Sequence, residues 1–267
     1  MVDESIPSAA STGRVHFKQF CRSLAVSPHC SYEAEPASCL LDIHDDTGLS
    51  RIFITASPTA DDTDGILRHI RHFLYAKRRF ALLAPAPLIT EPLSELFASC
   101  GLRSGAMFNW YSMVQFNTAP LPAVESLESS GVSRVETEED VRGWSSVVAE
   151  SFATPSTRDA LAAYLQTYAH TLPRSTDLFL LRAAGHAVAT AAIFTDIETG
   201  SEGIYWVATM PAARRQGHAK TILSHLLRRR QCRDGRFLQS TGNALRLYRS
   251  CGFETIESYA LYLPAYC

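Results

Sequence analysis

The chain has 267 residues, 46% hydrophobic and 19% charged, with a formal net charge of −2. That balance excludes disordered and collagen-like chains and supplies enough apolar material for two cores of ordinary domain size. A near-neutral charge gives no general attraction to nucleic acid or anionic membranes, so any basic surface has to be local.

The N-terminal Met-Val-Asp-Glu-Ser-Ile-Pro lacks the cationic and apolar blocks of a signal peptide, and no apolar run approaches membrane-spanning length. A cytoplasmic protein with neither a nucleic-acid nor a membrane partner is expected, as a monomer or a homodimer. Seven cysteines (21, 30, 39, 100, 232, 251 and 267) are odd in number, scattered and without metal-ligand spacing, so reduced thiols are expected.

Along the chain, Ala60-Asp-Asp-Thr-Asp-Gly65 places three carboxylates where a helix would start, with Ile66-Leu-Arg-His-Ile70 following. His69 and His72 are spaced i,i+3, and with no third ligand nearby no metal is expected. Phe80-Ala-Leu-Leu83 and the aromatic Phe108-Asn-Trp-Tyr111 read as strands. From Phe116 to Gly131, Pro, Ser, Gly and Glu replace the periodic pattern. We take residues 121–132 as a linker between domains at 1–120 and 133–267.

After the linker, Glu138, Glu139 and Asp140 precede Val141, Trp144, Val147, Val148 and Phe152, the spacing of an amphipathic helix with acidic residues at its start. A second helix is predicted over Thr157 to Tyr168. Leu178 to Leu181 and Ala187 to Phe194, with a turn at Ala184-Gly-His186, read as a hairpin. Then come strand Gly203 to Thr209, helix Ala219 to Arg230, strand Arg236 to Ser240, short helix Ala244 to Ser250 and closing strand Tyr259 to Leu263. The class is mixed α/β.

Between the strand at Thr209 and the next helix lies Met210-Pro-Ala-Ala-Arg-Arg-Gln-Gly-His-Ala-Lys220. A helix N-terminus after a loop presents unpaired N–H groups and a positive dipole end, which favours a phosphate. Gly217 allows close approach to the backbone, and Arg214, Arg215 and Lys220 add positive charge. Neither Gly-x-x-x-x-Gly-Lys-Ser/Thr nor Gly-x-Gly-x-x-Gly occurs in the chain, which argues against a nucleotide triphosphatase or a Rossmann dehydrogenase.

Arg214-Arg-Gln-Gly-His-Ala219 instead resembles the Gln/Arg-x-x-Gly-x-Gly/Ala pyrophosphate loop of the GNAT superfamily of acyl-CoA N-acyltransferases. Downstream, Phe237 to Ser240, Asn243, Tyr248 and Gly252-Phe253 follow the same family's order of strand, Asn, helix Tyr and Gly-Phe. The resemblance covers about 132–267. It implies a mixed, mostly antiparallel sheet flanked by helices, and transfer of the acetyl group of acetyl-CoA to a primary amine of a small molecule or peptide. Arg214, Arg215, Gln216, Gly217, His218, Ala219 and Lys220 would bind the pyrophosphate. Val207 and Thr209, on the splayed strand, would offer backbone groups to the pantetheine arm, and Asn243 would contact that arm or an ordered water. Tyr248 is implied as general acid toward the departing thiolate. For the base, Glu202 ranks ahead of Asp196 and Glu198, and some family members use a water chain.

The first half echoes the second. Leu96-Phe-Ala-Ser-Cys-Gly-Leu102 matches Leu247-Tyr-Arg-Ser-Cys-Gly-Phe253 at four of seven positions, and Ile66-Leu-Arg-His-Ile70 matches Ile222-Leu-Ser-His-Leu226. Two related domains in tandem are therefore expected. The first copy has Asp61, Asp62 and Asp64 where the second has its cations, and Phe97 where the second has Tyr248. It is expected not to bind CoA in the family manner, but to pack against the active half and help wall the acceptor site. The competing reading of the whole chain is a non-catalytic acyl-CoA-binding or scaffold protein that retains the fold.

Overall fold

The computed structural model describes residues 5–25, 30–43, 47, 49–104, 110–116, 131–229 and 235–265. Most of the expected linker and Phe108 and Asn109 lie outside the described residues. The first half forms α1 (Ser5–Leu24), β1 (Cys30–Ala34), β2 (Ser38–Ile43), β3 (Arg51–Ile54), α2 (Ala60–Tyr75), β4 (Ala81–Pro85), α3 (Glu91–Ser99), β5 (Leu102–Ser104) and β6 (Trp110–Gln115). The second forms β7 (Val132–Arg134), α4 (Glu138–Phe152), α5 (Arg158–His170), β8 (Thr176–Ala183), β9 (His186–Thr195), β10 (Glu202–Thr209), α6 (His218–Arg229), β11 (Arg236–Thr241), α7 (Leu245–Ser250) and β12 (Glu254–Pro264). Among the described residues, no helix is long and apolar enough to cross a membrane.

Two compact units emerge. The first comprises Met1–Ser112, Gln239–Gly242 and Thr255–Cys267, and the second Met113–Leu238 and Asn243–Glu254. In the first, strands run in the order β1-β2-β3-β4-β12, with β5 also on β12. Pairing is antiparallel except between β3 and β4, which α2 joins as a parallel crossover. The acidic start expected for α2 holds, with the Thr59 backbone N–H donating to the Asp62 carboxylate at 2.8 Å. Ile66, Ile70 and Phe73 of α2 pack on Ile52, Leu82, Phe97 and Tyr262 as one buried core. Tyr262 stands on β12, at the far end of the sequence, and meets Phe97 edge-on at 4.8 Å.

In the second unit the order is β6-β11-β10-β9-β8-β7. The β7-β8-β9-β10 pairings are antiparallel, and β10 runs parallel to β11 across α6. The β8–β9 turn is the two-residue Ala184-Gly185, both at positive φ (49° and 80°), the geometry that matches strand twist. α4 begins with a capping box: the Asp140 N–H donates to Thr137 Oγ1 at 3.1 Å and the Thr137 N–H to the Asp140 carboxylate at 3.0 Å. Val141, Trp144, Val147 and Val148 are buried as their spacing requires, but Phe152, assigned to the same face, is 55% exposed.

Each unit thus repeats one plan: antiparallel strands, a strand–helix–strand crossover between parallel neighbours, then a short helix (α3 or α7). Each short helix ends on Cys-Gly with the glycine left-handed, Gly101 at φ 76° and Gly252 at φ 85°.

Candidate active site

β10 is irregular, where the residue pattern alone read a plain strand and the family resemblance implied a splayed one. It pairs with β9 from Glu202↔Thr195 to Tyr205↔Ala192 and resumes at Ala208↔Thr190, so Trp206 and Val207 form a β-bulge. Trp206 sits at φ 52°, a left-handed conformation that disfavours a non-glycine residue by about 1–2 kcal/mol. Packing holds it there: its indole lies 6.2 Å from Trp144, 6.3 Å from Phe152 and 6.5 Å from Tyr168, and its carbonyl accepts from Thr190 Oγ1 at 2.9 Å. On its other edge β10 pairs with β11 only at Glu202↔Arg236 and Gly203↔Phe237. Beyond Gly203 the edge carrying Val207 and Thr209 has no β11 partner.

From Thr209 the chain passes through a 3-10 turn (Pro211–Ala213) into α6. Arg214 Nε donates to Thr209 O at 3.3 Å, tying the loop to the strand end. Arg215 (φ 66°) and Gly217 (φ 87°) are both left-handed, and a Cβ built on Gly217 would meet nothing within 4 Å. Arg214, Arg215, Gln216, Gly217 and Lys220 are exposed, with His218 and Ala219 half-buried in the first turn. The result is a cationic loop with open space before a helix N-terminus, the electrostatics of an anion site.

Tyr248 lies on the inner face of α7 and is only 6% exposed, its ring edge-on to Phe253 at 6.1 Å. Burial pushes its phenol well above the ordinary value, with the Cys251 thiol adding to the effect. The backbone fixes its place, because the N–H groups of Cys251 and Phe253 donate to Tyr248 O at 2.9 and 3.1 Å. Burial raises the Cys251 thiol, while Ser250 and the Lys220 ammonium pull it down, so Lys220 of the loop and α7 feel one another. Asn243 is exposed in the turn before α7.

Glu202 is not placed as an available base. It is 3% exposed at the end of β10 where β11 is still paired, and its Oε2 accepts from Arg236 Nε at 3.0 Å. Thr209 lies seven positions further along the strand, about 23 Å at an ordinary strand rise. Asp196 stabilises the β9–β10 turn instead, accepting the Glu198 N–H at 3.0 Å, and Glu198 is exposed. The motifs also missed Gln115 of β6. It is 2% exposed, its Nε2 donates to Cys251 O at 2.7 Å, and its Oε1 accepts from Arg236 Nη1 at 3.5 Å.

A bulged strand, a cationic glycine loop, a helix and a second short helix bearing a tyrosine lie within or beside the segment that a known domain family matches. Residues 174–255 match the acetyltransferase (GNAT) domain. Over that segment the chain is similar to GNAT domains. A GCN5-related N-acetyltransferase from Kribbella flavida shares the fold over 95% of each chain at a TM-score of 0.63 and 17% identity. One from Sphaerobacter thermophilus does so over 85% of this chain and 76% of its own, at a TM-score of 0.56 and 20% identity. A tandem GNAT protein from the clavulanic acid biosynthesis pathway covers 95% of each chain at a TM-score of 0.54 and 12% identity. No curated protein sequence matches the chain. The fold of these GNAT structures thus extends over both halves of the chain, as two related domains in tandem.

Proposed function

We propose that this GNAT protein transfers the acetyl group of acetyl-CoA to a primary amine of a small molecule or peptide by direct attack. The observation that carries this reading is the left-handed, unobstructed Gly217 at the start of α6, flanked by exposed Arg214, Arg215 and Lys220. A pyrophosphate there would receive the first-turn N–H groups of α6, including those of His218 and Ala219, with Gln216 on the rim. Beyond its last pair with β11, β10 would give Val207 and Thr209 backbone groups to the pantetheine arm, with Asn243 beside it.

Acetyl-CoA supplies the acyl group as a thioester. The amine nitrogen bonds to the carbonyl carbon, the C–S bond breaks, and Tyr248 gives its phenolic proton to the leaving sulfur. Burial raises the phenol, which carries its proton through the neutral range and would give it up only as negative charge develops on the departing sulfur. With Glu202 held by Arg236, we assign removal of the amine proton to water.

Of the domains we set at 1–120 and 133–267, joined by 121–132, only the C-terminal one would act on CoA. Asp61, Asp62 and Asp64 at the start of α2 would repel a pyrophosphate, and Phe97, fully buried in α3, has no hydroxyl to offer. The pairing of Glu202 also keeps a second reading in view, a non-catalytic acyl-CoA binder. Tyr248→Phe separates the two: in an acetyl-CoA assay against a panel of polyamines, arylalkylamines, aminoglycosides and peptides, an enzyme loses turnover but keeps acetyl-CoA affinity. A wild type that binds acetyl-CoA and acetylates none of the panel would favour the binder.

A further inference from the structure

Gln115 lies in β6, upstream of the 174–255 match, yet its segment belongs to the second compact unit. Its side chain is buried between two elements of that unit. The Nε2 group donates to Cys251 O at 2.7 Å, and Oε1 accepts from Arg236 Nη1 at 3.5 Å. The two contacts fix the amide in one orientation, since only the NH2 group can serve a carbonyl and only the oxygen can serve a guanidinium. Arg236 is itself anchored by Glu202 at 3.0 Å. Cys251 is the residue that ends α7, so its carbonyl is among those the helix leaves unpaired. The same residue's N–H binds Tyr248 O.

We propose that Gln115 is a positioning residue for Tyr248, acting through the Cys251 carbonyl and backed by the Arg236–Glu202 pair. α7 has six residues, too short to hold its own register, so its end is set by what binds it. Gln115 supplies that contact from a strand outside the matched domain. The buried ion pair thereby gains a purpose: it keeps the amide from rotating its oxygen toward Cys251. The claim rests on the reading of Tyr248 as general acid.

The test pairs Gln115→Leu with Tyr248→Phe, singly and together, using acetyl-CoA and whichever panel amine the wild type acetylates. Gln115→Leu should lower kcat by roughly tenfold or more while the KM for acetyl-CoA stays within about twofold. In the Tyr248→Phe background it should have no further effect on kcat. A merely structural Gln115 would lower kcat equally in both backgrounds, and that result would overturn the proposal. Amide hydrogen exchange supplies a readout independent of turnover. The Cys251 and Phe253 amides, which bind Tyr248 O, should exchange faster in Gln115→Leu while those in the middle of α6 do not change; unchanged exchange at both would also overturn it. If Tyr248→Phe alone left kcat intact, the acid reading would fail, and the exchange data would still decide whether Gln115 holds α7.

Discussion

Replacing Tyr248 with Phe removes one hydroxyl and keeps the ring that packs on Phe253, so it isolates proton donation from packing. We expect kcat to fall by about 10²–10⁴-fold with the acetyl-CoA dissociation constant unchanged, measured by steady-state assay and calorimetry. Glu202 belongs to a different class of residue. Glu202→Ala leaves a buried guanidinium without its carboxylate and should reduce folding stability by roughly 3–5 kcal/mol, read by urea denaturation. A variant that kept full stability and lost only turnover would restore Glu202 as base. The sequence marked Arg214 and Gly217 as candidates because a cationic loop and the helix it opens are written in adjacent residues, and Tyr248 because it follows the family's order of strand, Asn and Gly-Phe. Gln115 was not marked, because its partners Cys251 and Arg236 lie 136 and 121 positions away and no local pattern encodes such a contact.

Among the elements, α4 was predicted from its acidic start and apolar spacing, and the capping box accounts for why it begins where it does. Desolvation works against the Asp140 carboxylate, but hydrogen bonds from Thr137 and Arg182 outweigh it and hold its pKa down to about 2. A folded-state value below the unfolded one means that its contribution is complete above about pH 4 and is lost as pH falls toward 2. Asp140→Asn should therefore flatten the acid dependence of the thermal midpoint in that window, which a melting series at graded pH measures. An unchanged slope would show that Asp140 plays no part in it. The bulge in β10 is not written in its residue pattern, and only the family resemblance implied a splay there. Ile204, Tyr205, Trp206 and Val207 suit a strand individually, and the rings of Trp144, Phe152 and Tyr168 that pack around the left-handed Trp206 come from elements distant in sequence. The exposure of Phe152 was hidden for a related reason, since spacing marks a face and not what covers it.

At the scale of the whole molecule, the tandem repeat was visible as short echoed words because both copies need the same helix-ending Cys-Gly and the same crossover helix. Membership of β12 was not visible, since a strand's sequence does not name its partner. β12 pairs with β4 and β5 and puts Tyr262 into the core of the first unit. Deleting residues 255–267 should thus strip that unit of a paired strand and abolish cooperative melting of the first half, followed by calorimetric scanning; a first half that melts as before would show that β12 is dispensable there. The central claim, that the loop before α6 binds acetyl-CoA in an acetyltransferase, is tested most directly by isothermal calorimetry on the wild type and on Gly217→Glu. The substitution sets a side chain and a negative charge in the open space beside Gly217, in a backbone conformation that favours glycine. We expect the wild type to bind acetyl-CoA and the variant to bind at least about thirtyfold more weakly. A wild type that does not bind, or a variant that binds equally well, would contradict the claim.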